Sequence, residues 1–162
     1  MIIVSNTGPI LHLQEAKCLD LLRLAGDIHT PKMVEAELTH LLPDFKLPAW
    51  ININLLEEPF QQLANSWMQA GLLDPGEAEA LSLARQLNVK WFLTDDAAAR
   101  LFASAMDIEV HGSLGIILWA AAVGYLTYVE AVEYLDNLIS SSVWMSPRVI
   151  ASAQDALTKF YR

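Results

Sequence analysis

The chain has 162 residues, the size of one ordinary domain, and can bury a core without disulfide or metal staples. Apolar residues make up 54%, above the usual share for a soluble domain, so the surplus is buried either against another subunit or partner or in an unusually well-filled core. Ten Lys and Arg face nineteen Asp and Glu, a formal net charge of −9. That balance argues against a broad, nonspecific nucleic-acid-coating role, because phosphate neutralisation supplies most of such affinity, and leaves a short substrate reached through metal ions, or a basic partner protein.

The N-terminus, Met1-Ile2-Ile3-Val4, lacks the basic region and cleavage pattern of a signal peptide, and Ile2 to Val4 reads as a buried strand. Ser5 to Pro9 reads as a turn. Ile10 to Ala25 carries apolar residues at helical spacing and is closed by Gly26. Within it Cys18 is the only cysteine, which rules out an intrachain disulfide and fits a reducing, cytoplasmic compartment. Ile28 to Thr30 is a second strand, and Pro31 opens a helix striped by Met33, Val34, Leu38 and Leu41. Residues 42–50 form a loop, Ile51 to Asn54 alternates as an edge strand, and Pro59 to Ala70 is helical.

Asp74-Pro75-Gly76-Glu77 is a helix-opening signature, with Asp74 as the cap and Pro75 in the first position. Trp91 to Thr94 is an apolar strand ending in Asp95-Asp96, followed by a helix with Leu101, Phe102 and Ala105. Ile108 to His111 is another strand. From Ser113 onward the chain reads as helical, with breaks near Gly124 and from Ser140 to Pro147. Its most apolar stretch, Leu114 to Leu126, is too short and too glycine-interrupted for a membrane span and reads as a buried helix.

Strands alternating with helices specify a mostly parallel sheet covered on both faces, an α/β fold. Functional residues in such sheets gather outside the strands' carboxyl ends. Asn6 follows the first strand, and Asp95 and Asp96 follow the strand at Trp91. Glu37 lies about two turns into its helix, and Glu77 near the start of another. These positions converge if the strands of Asn6 and Asp95 are neighbours. Three or four oxygen ligands in one pocket suit Mg2+ or Mn2+, which activate water and stabilise a phosphodiester transition state. Each residue also has a plainer role open to it. Glu77 suits a helix dipole, Asp95-Asp96 a helix cap, Glu37 a solvated face, and Asn6 a turn. The joint placement, not any one residue, points to chemistry.

His12, His29, His40 and His111 show no zinc-like spacing and read as structural. The five Trp residues read as core or interface packing rather than base stacking, for want of basic neighbours.

The chain resembles the PIN-domain nucleases, and more closely their DUF3368 branch, similar to VapC-type toxins. The residues that carry the resemblance are Ile3 to Ile10, then Pro31 with Val34 and Glu37-Leu38. They continue through Leu73 to Ala80 with Leu83-Ala84, Leu93 to Asp96 with Ala99-Arg100, and Gly112 to Ile117 with Gly124. They run in order over nearly the whole chain, which is thus expected to be a single PIN-like domain over 1–162, three-layered α/β/α. The resemblance implies a Mg2+- or Mn2+-dependent endoribonuclease acting on single-stranded RNA, often the toxin of a toxin–antitoxin pair. Its metal set falls on Asn6, Glu37, Glu77 and Asp96, with Asp95 as the alternative to Asp96. Glu37, Glu77 and Asp96 are the implied catalytic acids, Thr94 orients water or phosphate, and Arg100 and Ser113 contact substrate, a solvent-exposed helix arginine being the plainer role open to Arg100. Asn6 stands where the family has Asp, which supplies a carbonyl ligand without charge. The competing expectation is therefore a degenerate, non-cleaving domain that binds RNA or a protein partner. Ser113 replaces the usual Thr and keeps its hydroxyl. The apolar surplus and helical C-terminal segment favour a homodimer, and an antitoxin would place an arginine near the carboxylates.

Overall fold

The computed structural model describes residues 1–162. Its strands are β1 (Ile2–Ser5), β2 (Asp27–Pro31), β3 (Asn52–Asn54), β4 (Trp91–Leu93) and β5 (Glu109–His111). They form one sheet in the order β3-β2-β1-β4-β5, and every pairing is parallel. Central strands buried on both faces read as continuous apolar runs, and Ile3, Val4, Phe92 and Leu93 are fully buried. The Asn52–Asn54 strand does lie at an edge.

The helices are α1 (Thr7–Glu15), α2 (Leu21–Ala25), α3 (Lys32–Leu41), α4 (Glu58–Gln69), α5 (Pro75–Gln86), α6 (Ala97–Ala105), α7 (Ser113–Ala122), α8 (Tyr128–Ile139) and α9 (Pro147–Phe160). They complete an α/β/α fold. α4 packs on α5, which lies against β1 and β2, and α7 gathers α1, α2, α8 and α9. No helix is long and apolar enough to cross a membrane.

Two local expectations need correction. The segment read as a turn at Ser5 to Pro9 already contains the start of α1. Asn6 caps it through Oδ1, which accepts the Thr7 N–H at 2.8 Å, and Pro9 is tolerated because the first helical turn leaves its N–H unbonded in any case. The single helix expected from Ile10 to Ala25 is two. Lys17 adopts φ 61, the Cys18 N–H reaches back to Leu13 O at 2.9 Å, and the Lys17 N–H to Gln14 O at 3.0 Å. This paired closure ends α1, with a lysine doing what glycine usually does.

The chain runs outward from β1 to β2 to β3, then returns to the other side of β1 for β4 and β5. The order therefore reverses between β1 and β4, where such sheets open a crevice at their carboxyl ends.

Candidate active site

Ser5 pairs with Leu93 across β1 and β4, which sets Asn6 beside Thr94, Asp95 and Asp96. The crevice there is a cleft of about 270 Å³ lined by Asn6, Thr7, Gly8, His12, Glu37, Asp74, Glu77, Asp95 and Asp96. Five of these are acids and none is Lys or Arg. A larger hollow of about 470 Å³ beside Gln14 and Leu41 to Phe45 gathers only Glu15 and Asp44 as acids. Convergent polar groups, not volume, mark a site of chemistry.

Asn6 is nearly fully buried and both ends of its amide are engaged. Oδ1 caps α1, and Nδ2 donates to Thr94 Oγ1 at 3.3 Å. The same Thr94 oxygen accepts the Asp96 N–H at 3.1 Å, so buried Thr94 ties the two strand ends together.

Glu37 reaches in from α3 and clamps two helix starts. One oxygen accepts the Thr7 hydroxyl. The other accepts the Gly76 N–H at 3.0 Å, in the first turn of α5, a favourable place for a carboxylate. The approach requires glycine. A β-carbon at Gly76 would stand 2.6 Å from Glu37 Cδ and closer still to both oxygens.

Glu77 turns back to accept the Asp74 N–H at 3.1 Å, one half of a capping box. Burial, together with the charges of Asp96 and Asp74 and a hydrogen bond to the Asp96 carboxyl, outweighs that N–H and raises the Glu77 pKa from 4.5 to about 7. Asp96 caps α6, accepting the Ala99 N–H at 2.8 Å.

Asp95 is spoken for by neighbours. His12 donates from Nδ1 to Asp95 Oδ2 at 2.6 Å, the Ser113 N–H donates to Oδ1 at 2.7 Å, and the Ser113 hydroxyl donates to Oδ2. Burial alone would raise its pKa, but these bonds outweigh it and hold the carboxyl below its ordinary value. Arg100 lies beside the cleft rather than in it, with Nη2 donating to Thr94 O at 3.4 Å.

The structure thus brings Asn6, Glu37, Glu77, Asp95, Asp96 and Thr94 together, puts Ser113 behind Asp95, and leaves Arg100 at the border. Sequence reading missed His12 as a cleft residue. The signal was available: His12 follows Gly8 by four residues, so both share the face of α1 that looks onto Asp95. A β-carbon at Gly8 would lie 3.3 Å from Asp95 Cβ and 3.6 Å from His12 Cε1.

No three His, Cys, Asp or Glu side chains stand close enough together to cage a metal ion. Glu77 and Asp96 each spend one oxygen on a backbone N–H and crowd each other's charge. That donor set fits a hard cation that keeps most of its waters and takes only one or two protein carboxylates, as Mg2+ does.

The raised Glu77 pKa has a definite sign. The folded chain holds the Glu77 proton more tightly than the unfolded chain does. The resulting stability is full below 4.5 and is lost as pH rises through about 7. Asp95 titrates below this window and does not oppose the trend. Melting temperature measured against pH should therefore fall across the window in cation-free protein, and Glu77→Gln should flatten the fall. Parallel profiles for the two proteins would mean that burial and the neighbouring acids do not raise the Glu77 pKa.

No curated protein and no solved structure matches the chain. The family DUF3368, described as a PIN domain, matches residues 2–159. With the parallel sheet, the reversal between β1 and β4 and the acids collected there, the chain belongs to the DUF3368 family of PIN domains, a nuclease-type domain.

Proposed function

We propose that this cleft hydrolyses phosphodiester bonds of single-stranded RNA with the help of Mg2+ or Mn2+, as the toxin of a toxin–antitoxin pair. The observation that carries the reading is five carboxylates and no Lys or Arg at the point where the strand order reverses. A bound divalent ion supplies a polarised water and screens the scissile phosphate. Glu77 and Asp96 would hold the ion, and Thr94 fixes the strand ends that carry Asn6 and Asp96. Glu37 locks the starts of α1 and α5 so that Glu77 keeps its place. Asp95 is a positioning residue, aiming His12 and anchoring α7 through Ser113. An antitoxin would complement the cleft with an arginine, the side chain suited to paired carboxylates, and the toxin itself would be a homodimer. Incubation of single-stranded RNA with the protein and Mn2+ tests the activity. Shortened products that vanish with a chelator support it, and RNA left intact contradicts it.

One observation favours a second reading, a non-cleaving domain that binds RNA or a protein. Asn6 brings no charge, and its amide is already used to cap α1 and to hold Thr94. Asn6→Asp separates the two readings. Asp keeps the Thr7 N–H bond, and the Thr94 hydroxyl turns round to donate to it. The added charge should tighten Mn2+ binding about tenfold, read by calorimetric titration. Cleavage gained only in the variant would establish the second reading for the natural chain. Binding that is equal or weaker would remove Asn6 from the cation's surroundings.

A further inference from the structure

A second hollow, a largely apolar groove, adjoins the carboxylate cleft. It has a volume of about 340 Å³, shares Asp95 with the cleft, and is walled by Leu118, Leu138, Val143 and Met145. That size is near the lower end of small-ligand pockets, with room for one planar ring system rather than for a helix of a partner. Trp144 stands on the groove with 82% of its surface exposed. The other four Trp residues pack partly buried against the core. An indole so exposed adds nothing to the core and offers a flat face to a ligand.

Arg100 closes the inner end of the groove. It takes part in none of the chain's ion pairs, and its one side-chain hydrogen bond is the long contact to Thr94 O. Its guanidinium therefore keeps free donors for an anion. Gly112 sits where the groove meets the cleft. A β-carbon there would stand 2.6 Å from Asp95 Oδ1 and 3.1 Å from Arg100 Nη2, so the backbone lets the acid and the cation lie side by side.

The geometry points to a nucleobase subsite. One base of the RNA strand stacks on Trp144 in the apolar groove, its phosphate rests on Arg100, and the neighbouring phosphodiester enters the carboxylate cleft. This assignment rests on the reading of the cleft as RNA-cleaving. It explains how a chain of net charge −9 holds RNA without a basic surface, because base stacking on an aromatic ring needs no charge neutralisation and tolerates any base.

The test is fluorescence anisotropy of a fluorescein-labelled single-stranded oligoribonucleotide, with Ca2+ in place of Mn2+ so that the strand stays intact. Trp144→Ala is expected to weaken binding about tenfold, and Trp144→Phe to restore most of it. Gly115→Leu should weaken it comparably by filling the groove, since a β-carbon at Gly115 makes only ordinary contacts, 3.8 Å from His111. Circular dichroism verifies folding, and exposed Trp144 carries the test if the Gly115 variant does not fold. RNA bound equally well by wild type, Trp144→Ala and Gly115→Leu would overturn the subsite and leave the cleavage reading standing. No RNA binding by the wild type would overturn both. A wild-type dimer that Trp144→Ala turns into monomer, with RNA affinity unchanged, would assign the groove to a second copy of the chain and overturn the subsite.

Discussion

Asp96→Asn is expected to lower Mn2+-dependent RNA cleavage by more than about 100-fold while leaving the fold intact. Partners that only orient a metal ligand cost 10- to 100-fold when removed, so loss of a charged ligand should exceed that range. The substitution separates the two duties of Asp96. As a helix cap it accepts the Ala99 N–H, and Asn caps about as well as Asp. As the proposed ligand it would contribute charge, which Asn lacks. Melting temperature should therefore hold nearly constant while activity disappears. If activity and stability fall together, the cap is what matters, and if neither falls, Asp96 does not face the cation.

Gly76→Ala should destabilise the protein by about 1–3 kcal/mol, the usual cost of forcing a methyl group into filled space. The sign is informative, because alanine replacing glycine in a helix ordinarily gains up to about 1 kcal/mol. Here the new carbon collides with the Glu37 carboxylate, which must either leave the Gly76 N–H or push α5 away from α3. Urea unfolding of Gly76→Ala, Glu37→Ala and the double variant reads the coupling. The loss in the double variant should be smaller than the sum of the single losses. Additive losses would show that Glu37 does not press on Gly76.

The order of strands and helices was legible because parallel, doubly covered strands leave short apolar runs and the helices between them leave periodic ones. Asn6, Asp95 and Asp96 could be placed at strand ends for the same reason. Their convergence was conditional, since nothing local states that β1 and β4 are neighbours. That follows only from the return of the chain across β1. Glycine and proline misled at Gly8-Pro9, where the punctuation belongs to the first turn of a helix. Lys17 gave no sign of its left-handed backbone, because side-chain identity forbids that conformation only weakly.

Within the site, Glu37 could be named as an acid but not as a clamp, because its partners, Thr7 and Gly76, lie 30 and 39 positions away. Asp95 and Asp96 look alike in sequence. They part in the structure because Asp95 turns toward His12 and Ser113 and Asp96 toward Glu77 and the start of α6. Trp144 was grouped with packing residues because Arg100, which lines the same groove, comes from an earlier helix and lies 44 positions away in the chain.

The proposed cation-holding role of Glu77 and Asp96 is tested most directly by Mn2+ titration followed by electron paramagnetic resonance, with wild type beside Glu77→Gln. One Mn2+ bound per wild-type chain, with loss of that binding in Glu77→Gln, is the result this arrangement predicts. No binding by the wild type, or equal binding by both proteins, would contradict it and move any cation away from the β1–β4 cleft.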